Sequence, residues 1–126
     1  MCSHPSMAVA DELRERVRHF AIRVLMFVKT LPRNPAIDGV ARQLARSGPS
    51  VAANYHSAGR SRSRAEFVSR LAIVADEADE TEGWLVMLKD AGLTSGAELD
   101  WLLAESRELR AIFVKAVKTA RANHRR

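Results

Sequence analysis

Four stretches of this chain, each about 20–28 residues long, repeat apolar side chains at spacings of three and four, with only short breaks between them. That period puts one buried stripe on a helix and is incompatible with the strict alternation of a half-buried strand. In the first stretch the stripe is Leu13, Val17, Phe20, Val24, Phe27 and Leu31, and Ala21, Leu25 and Val28 widen it towards a second neighbour. Asp11, Glu12 and Glu15 lie in the first turns, where the helix dipole favours negative charge. The pattern predicts a helix from about Ala10 to Leu31. Leu31-Pro32-Arg33-Asn34-Pro35 stops it, because a residue before proline is pushed out of the helical region.

A second helix is expected from just after Pro35 to about Ala58, with Val40, Leu44, Val51 and Tyr55 on its apolar side. Gly48-Pro49 interrupts it, removing one backbone hydrogen bond and crowding the carbonyl of Ala45. Because the apolar spacing continues on the same face, the sequence favours a kink over an end and restart. The basic connection SAGRSRSR follows over residues 57–64. Ser63 is placed to cap the third helix, with Glu66 completing a capping box. That helix, about Arg64 to Ala91, carries Phe67, Leu71, Val74, Ala78, Leu85 and Leu88 inward with Trp84 beside them, and Gly92 supplies its C-cap. Thr94 or Ser95 is expected to open a fourth helix reaching about Ala122, with Leu99, Leu102, Leu109, Ile112, Phe113 and Val117 inward.

Four long helices with short links predict an all-α antiparallel up-down-up-down four-helix bundle over residues 10–122. Residues 1–9 read as a disordered tail and 123–126 as a basic one. The length suits one domain. Residues are 47% apolar but only 6% aromatic, so the core is one of Leu, Val, Ile and Ala. No apolar run reaches the roughly 18–20 residues of a membrane span, and the N-terminus lacks the pattern of a signal peptide. Cys2 has no disulfide partner, so a cytoplasmic location is the expectation.

The net charge of +5 is unevenly spread: +7 over residues 1–70, −7 over 71–110 and +5 over 111–126. Basic segments around an acidic middle suit a polyanion, and equally suit helices or subunits that attract one another. The basic candidates for phosphate contact are Arg42, Arg46, Arg60, Arg62, Arg64 and Arg70. Lys115, Lys118 and Arg121 near the end of helix four are expected at the opposite end of the bundle, as a second patch. Asp76, Glu77, Asp79, Glu80 and Glu82 lack a cation at i+4. They read as a solvated face, or as a surface waiting for arginines from another helix or subunit. Asn54, at the core edge, is expected to hydrogen-bond to Glu77 or Glu80 and fix helix register.

Catalysis finds no support. Glu77-x-x-Glu80 and Glu105-x-x-Glu108 lack the histidine that a di-iron bundle places at that spacing. His4, His19, His56 and His124 have no metal-ligand spacing, and there is no phosphate loop or nucleophile elbow. No cofactor is implied. A helix-turn-helix over residues 39–56, with its turn at Ser47 to Ser50, is a weaker alternative, because Val51 and Tyr55 continue one long stripe.

The break and the two charged clusters together resemble the 23S rRNA intervening-sequence protein family. Its pattern is a leucine-proline break, then Q-L-x-R-S-x-x-S-[IV]-x-x-N, a basic R-x-R-S/K-x-x-E-F stretch and E-A-x-E-x-x-x-W-L. Here these are Leu31-Pro32, Gln43 to Asn54, Arg60 to Phe67, and Glu77 to Leu85. Gly59 and Gly83 depart from the pattern without threatening the fold. The resemblance covers residues 18–91 well; helix four matches in character. It implies a ring-like homo-oligomer, commonly a pentamer, and brings no catalytic residues. It is similar in architecture to the accessory protein of diversity-generating retroelements, which binds a reverse transcriptase and nucleic acid. Two functions are therefore expected: binding of structured RNA or DNA through basic surface, or service as an adaptor for a nucleic-acid enzyme such as a reverse transcriptase. In the second, Glu77, Glu80 and Trp84 would form the docking or subunit surface.

Overall fold

The computed structural model describes the backbone of residues 3–124 and the side chains of residues 10–123. Cys2, Arg125 and Arg126 lie outside it, as do the side chains of His4 and His124. Four helices account for nearly all of the described chain: α1 (Ser3–Thr30), α2 (Pro35–Ala58), α3 (Arg64–Asp90) and α4 (Ala97–His124). The first begins at Ser3 and not near Ala10, so backbone expected in a tail continues the helix.

Local chemistry sets the ends. Asn34, in extended backbone, accepts from the Ile37 amide at 2.9 Å, and Pro35 follows in the first turn, where a missing N–H costs nothing. Ser63 accepts from the Glu66 amide at 3.1 Å, but the Glu66 carboxylate turns to Arg70 at 2.9 Å, so only half of the expected capping box forms. The α3 end is a Schellman turn. Gly92, at φ +68°, lets the Leu93 amide reach the Leu88 carbonyl and its own amide the Lys89 carbonyl, both at 3.0 Å. Neither Thr94 nor Ser95 opens α4. Gly96, at φ +126°, takes that place, its carbonyl accepting from the Asp100 amide at 3.1 Å.

Consecutive helices pack side by side, and α1 touches α4 more loosely. Contacts run antiparallel at both ends of this order. Arg46 meets Glu77 and Glu80, while Ser57 meets Arg70. On the other side Arg16 meets Glu105, and Arg23 meets Glu98. The result is the expected four-helix bundle. Phe20, Leu44, Val74, Leu85, Leu102 and Phe113 are fully buried along its axis. Each such side chain contributes about 1.5–3 kcal/mol by leaving water.

The Gly48-Pro49 pair does not end α2, which runs unbroken through it. This rules out the helix-turn-helix alternative, whose turn would fall at Ser47 to Ser50. The pair sits where α1 and α2 come closest. A Cβ built on Gly48 would stand 2.7 Å from Val24 Cγ1, so only glycine permits this approach. Beside it, fully buried Ser47 and Thr81 place their hydroxyl oxygens 2.8 Å apart, linking α2 to α3, and Thr81 also donates to the Glu77 carbonyl. This hydroxyl pair, rather than Asn54, is the polar link between the two helices. Asn54 turns back along its own helix and donates to the Ser50 carbonyl at 2.9 Å, because the two glutamates assigned to it are held by Arg46.

Candidate nucleic-acid interface

The acidic middle of α3 is met by arginines of its neighbours. Arg46 of α2 reaches both Glu77 oxygens at 3.2 and 3.3 Å and also pairs with Glu80. Trp84 lies half-buried against the core, its indole N–H 3.4 Å from Glu80. On the other flank, Glu82 accepts from Arg107 at 3.0 Å and from Arg110 at 2.7 Å. Of the two readings of this run, the arginine-matched one describes Glu77, Glu80 and Glu82, and the arginines come from the same chain.

The looser α1–α4 seam is bridged by long side chains. Arg16 forms a bidentate pair with Glu105, both bonds 2.8 Å, and reaches Glu108 at 2.9 Å. Hydrogen bonding to Glu105 raises its pKa further above the ordinary arginine value. Arg23 grips Glu98 and lies 3.7 Å over the Trp101 ring, against which His19 packs edge-on. The Arg23 guanidinium holds the Glu98 carboxyl below its ordinary value.

These pairings divide the six candidate arginines. Arg46 is held by glutamates, and Arg70 donates to the Ser57 carbonyl at 2.8 Å and pairs with Glu66, closing the end of α2. Arg42 is exposed near the other end of the bundle, beside a groove shared with Lys29 and Arg33. Eighteen positions separate it from Arg60, a helical rise of about 25 Å. Arg60, Arg62 and Arg64 remain together, all exposed, on the α2–α3 turn and the first residue of α3. Among the described residues none has a carboxylate within ion-pair distance.

The second basic patch lies at this same end, not the opposite one. In an up-down-up-down bundle α2 and α4 run in one direction, so the α2–α3 turn and the α4 C-terminus must coincide. One groove of about 600 Å³ accordingly has Arg64 on one side and Lys115 on the other. Lys115, Lys118 and Arg121 are exposed and likewise without a carboxylate partner among the described residues. Tyr55, Phe67, Leu71 and Ile112 line the groove between them, with Thr119 and Asn123 at its edge. Tyr55 packs on Phe113 at 5.3 Å between ring centres, and burial pushes its hydroxyl pKa up. Among the described residues there is no group of three or more potential metal ligands, and no helix long and apolar enough to cross a membrane.

Fold and surface thus define a four-helix bundle with a matched acidic waist and one unmatched basic end. The chain belongs to the 23S rRNA-intervening sequence protein family, whose model matches residues 12–115. It is similar to a crystal structure from Bacteroides thetaiotaomicron described as a protein of unknown function from the S23 ribosomal protein family. The two share 28% identity over 86% of this chain and 97% of that one, with a TM-score of 0.78. No curated protein matches.

Proposed function

We propose that this chain is a non-enzymatic, cytoplasmic protein that binds structured nucleic acid, RNA above DNA, through the basic end of its bundle. The observation that carries this reading is the convergence of Arg60, Arg62 and Arg64 with Lys115, Lys118 and Arg121 on one end. Most of the acidic charge is spent internally, so the surplus positive charge is concentrated there. Such a surface releases counterions from phosphates, and its affinity falls steeply with salt. Arg42, Arg46 and Arg70 take no part in the contact.

The test is a titration of folded RNA and duplex DNA across a salt series. Replacing Arg60, Arg62 and Arg64 by alanine removes three phosphate contacts. The slope of log affinity against log salt should become shallower by about 2–3, at roughly 0.7–0.9 per contact. An unchanged slope in a folded variant refutes the patch.

A second reading, self-association or capture of a nucleic-acid enzyme, is favoured by one observation. Ile22, Leu25 and Met26 form an outward apolar stripe on α1, 41–55% exposed, between exposed Arg18 and Lys29. This replaces the Glu77/Glu80 surface, which Arg46 occupies. A second copy is the occupant that suits it, in a ring-like assembly. Sedimentation of L25E/M26E tests this: a shift to the monomer mass is expected, and an unchanged mass refutes it.

A further inference from the structure

We infer that the groove at the basic end accepts an unpaired nucleotide of a folded RNA, with the base against Phe67 and its flanking phosphates on Arg64 and Lys115. This rests on the phosphate-binding reading above and adds what that reading lacks, a reason for the protein to prefer one RNA shape over another.

A purely electrostatic surface needs no recess, yet this one has a groove of about 600 Å³ at its centre. That volume falls within the usual range for small-molecule sites. The lining is graded as a nucleotide requires. Half-buried Phe67 and Ile112 give an apolar wall that takes the face of a base. Exposed Thr119 and Asn123 give hydroxyl and amide groups suited to a base edge or a ribose. The charged rim residues Arg64 and Lys115 are both cations, which matches the phosphates on either side of a splayed base. An acyl chain would leave most of the surrounding positive charge unanswered. A blunt duplex would place no base in the recess.

A second recess of about 340 Å³ shares Arg64 and Phe67 with the first and continues under the α2–α3 turn to Ser61. The Ser61 Oγ is buried and has no hydrogen-bond partner among the described residues. A polar group left so is costly, and a ligand offering it a partner would remove that cost. Folded RNA is the fitting source, since its loops and bulges present unstacked bases beside duplex phosphates, and aromatic side chains commonly receive them.

The experiment compares two RNA hairpins of equal phosphate number, one fully paired and one with a single bulged adenine, by fluorescence anisotropy against the full chain. The paired probe reports the phosphate patch alone. Wild type should bind the bulged probe about tenfold more tightly, as one base–aromatic stack allows. Phe67→Leu should erase that preference and keep the salt slope. Arg60, Arg62 and Arg64 to alanine should weaken both probes and preserve the ratio. Ala116→Phe, which fills the groove from α4, is a second route should Phe67→Leu disturb the fold. A 2-aminopurine at the bulge should lose emission on binding wild type and not on binding either groove variant. Equal affinity of wild type for both probes overturns the inference and leaves the phosphate reading standing; so does a preference that survives in folded F67L or A116F. A single-stranded DNA of the same length that matches the bulged RNA overturns the assignment to folded RNA. Failure to bind any probe at low salt overturns both readings.

Discussion

Replacing Gly48 by alanine should destabilise the bundle, although helix propensity alone predicts the opposite. In an ordinary helix interior the change gains about 1 kcal/mol. Here the new Cβ would stand 2.7 Å from Val24 Cγ1 and 2.9 Å from Val24 Cβ. Carbon atoms in contact prefer about 3.5–4.0 Å, so the overlap is close to 1 Å. Val24 is fully buried and β-branched, so it has no other rotamer to move into, and α1 and α2 must separate instead. Overpacking of this kind costs about 1–3 kcal/mol, which leaves a net loss of about 1 kcal/mol. The stronger test is the sign in a second background. Val24→Ala alone should cost about 2 kcal/mol, from two lost methyl groups and an incompletely closed cavity. In that background Gly48→Ala should become stabilising by about 1 kcal/mol, giving a coupling near 2 kcal/mol between the sites. Urea unfolding followed by helical circular dichroism, at one fixed protein concentration, measures all four corners. A Gly48→Ala variant more stable than wild type refutes the reasoning. So does an effect of the same sign and size in both backgrounds.

Three further outcomes follow from the geometry. Thr81→Val leaves the buried Ser47 hydroxyl without its cross-helix partner and should cost about 1–2 kcal/mol in urea unfolding; the Ser47→Ala/Thr81→Val double variant should cost less than the two singles together. Gly92→Ala forces a Cβ into φ +68° and should lower stability by about 1–2 kcal/mol, with nothing recovered by any substitution around it, since its Cβ would meet no neighbour. The α1–α4 seam should weaken in acid. Glu98 titrates below its ordinary value of 4.5 when folded, so its contribution is complete above that pH and is lost as pH falls through the lower folded value. The stability gap between wild type and Glu98→Gln should therefore narrow below about pH 4.5; a gap that stays constant to pH 3 would mean that Arg23 and Glu98 do not pair in solution.

Where the sequence carried a periodic signal it was readable, and where it needed a partner across space it was not. The apolar stripes of Leu13 to Leu31 and Leu99 to Val117 gave the helices, and Ser63 and Gly92 gave their ends, because caps act within one turn. Asn54 and the glutamates were misassigned because nothing local distinguishes an asparagine that turns back to Ser50 from one that crosses to α3. Arginine reach decides that question, and Arg46 takes both glutamates. The two basic clusters were legible as clusters. Their convergence needed only the parity of the helices, since the second turn and the fourth C-terminus share an end in any such bundle. The residues this adds to the site are Lys115, Lys118 and Arg121.

The charge pattern follows from the same topology. α3 has α2 on one side and α4 on the other, so an acidic α3 can neutralise arginines from both at mid-height, as Arg46, Arg107 and Arg110 show. It cannot do so at the α2–α3 turn, where helix geometry carries Asp76 and Glu77 about 18 Å along the axis from Arg64. Glu66 is the carboxylate of α3 closest in sequence to the turn, and Arg70 takes it. Exposed pairs of this kind add little stability each, about 0–1 kcal/mol. Their larger consequence is spatial: by spending the acidic charge at mid-height, they leave the positive surplus at one end. Charge reversal of Glu77 and Glu80 should then leave phosphate binding at the turn nearly unchanged while freeing Arg46. A large gain in nucleic-acid affinity on reversal would place the interface at mid-bundle and not at its end.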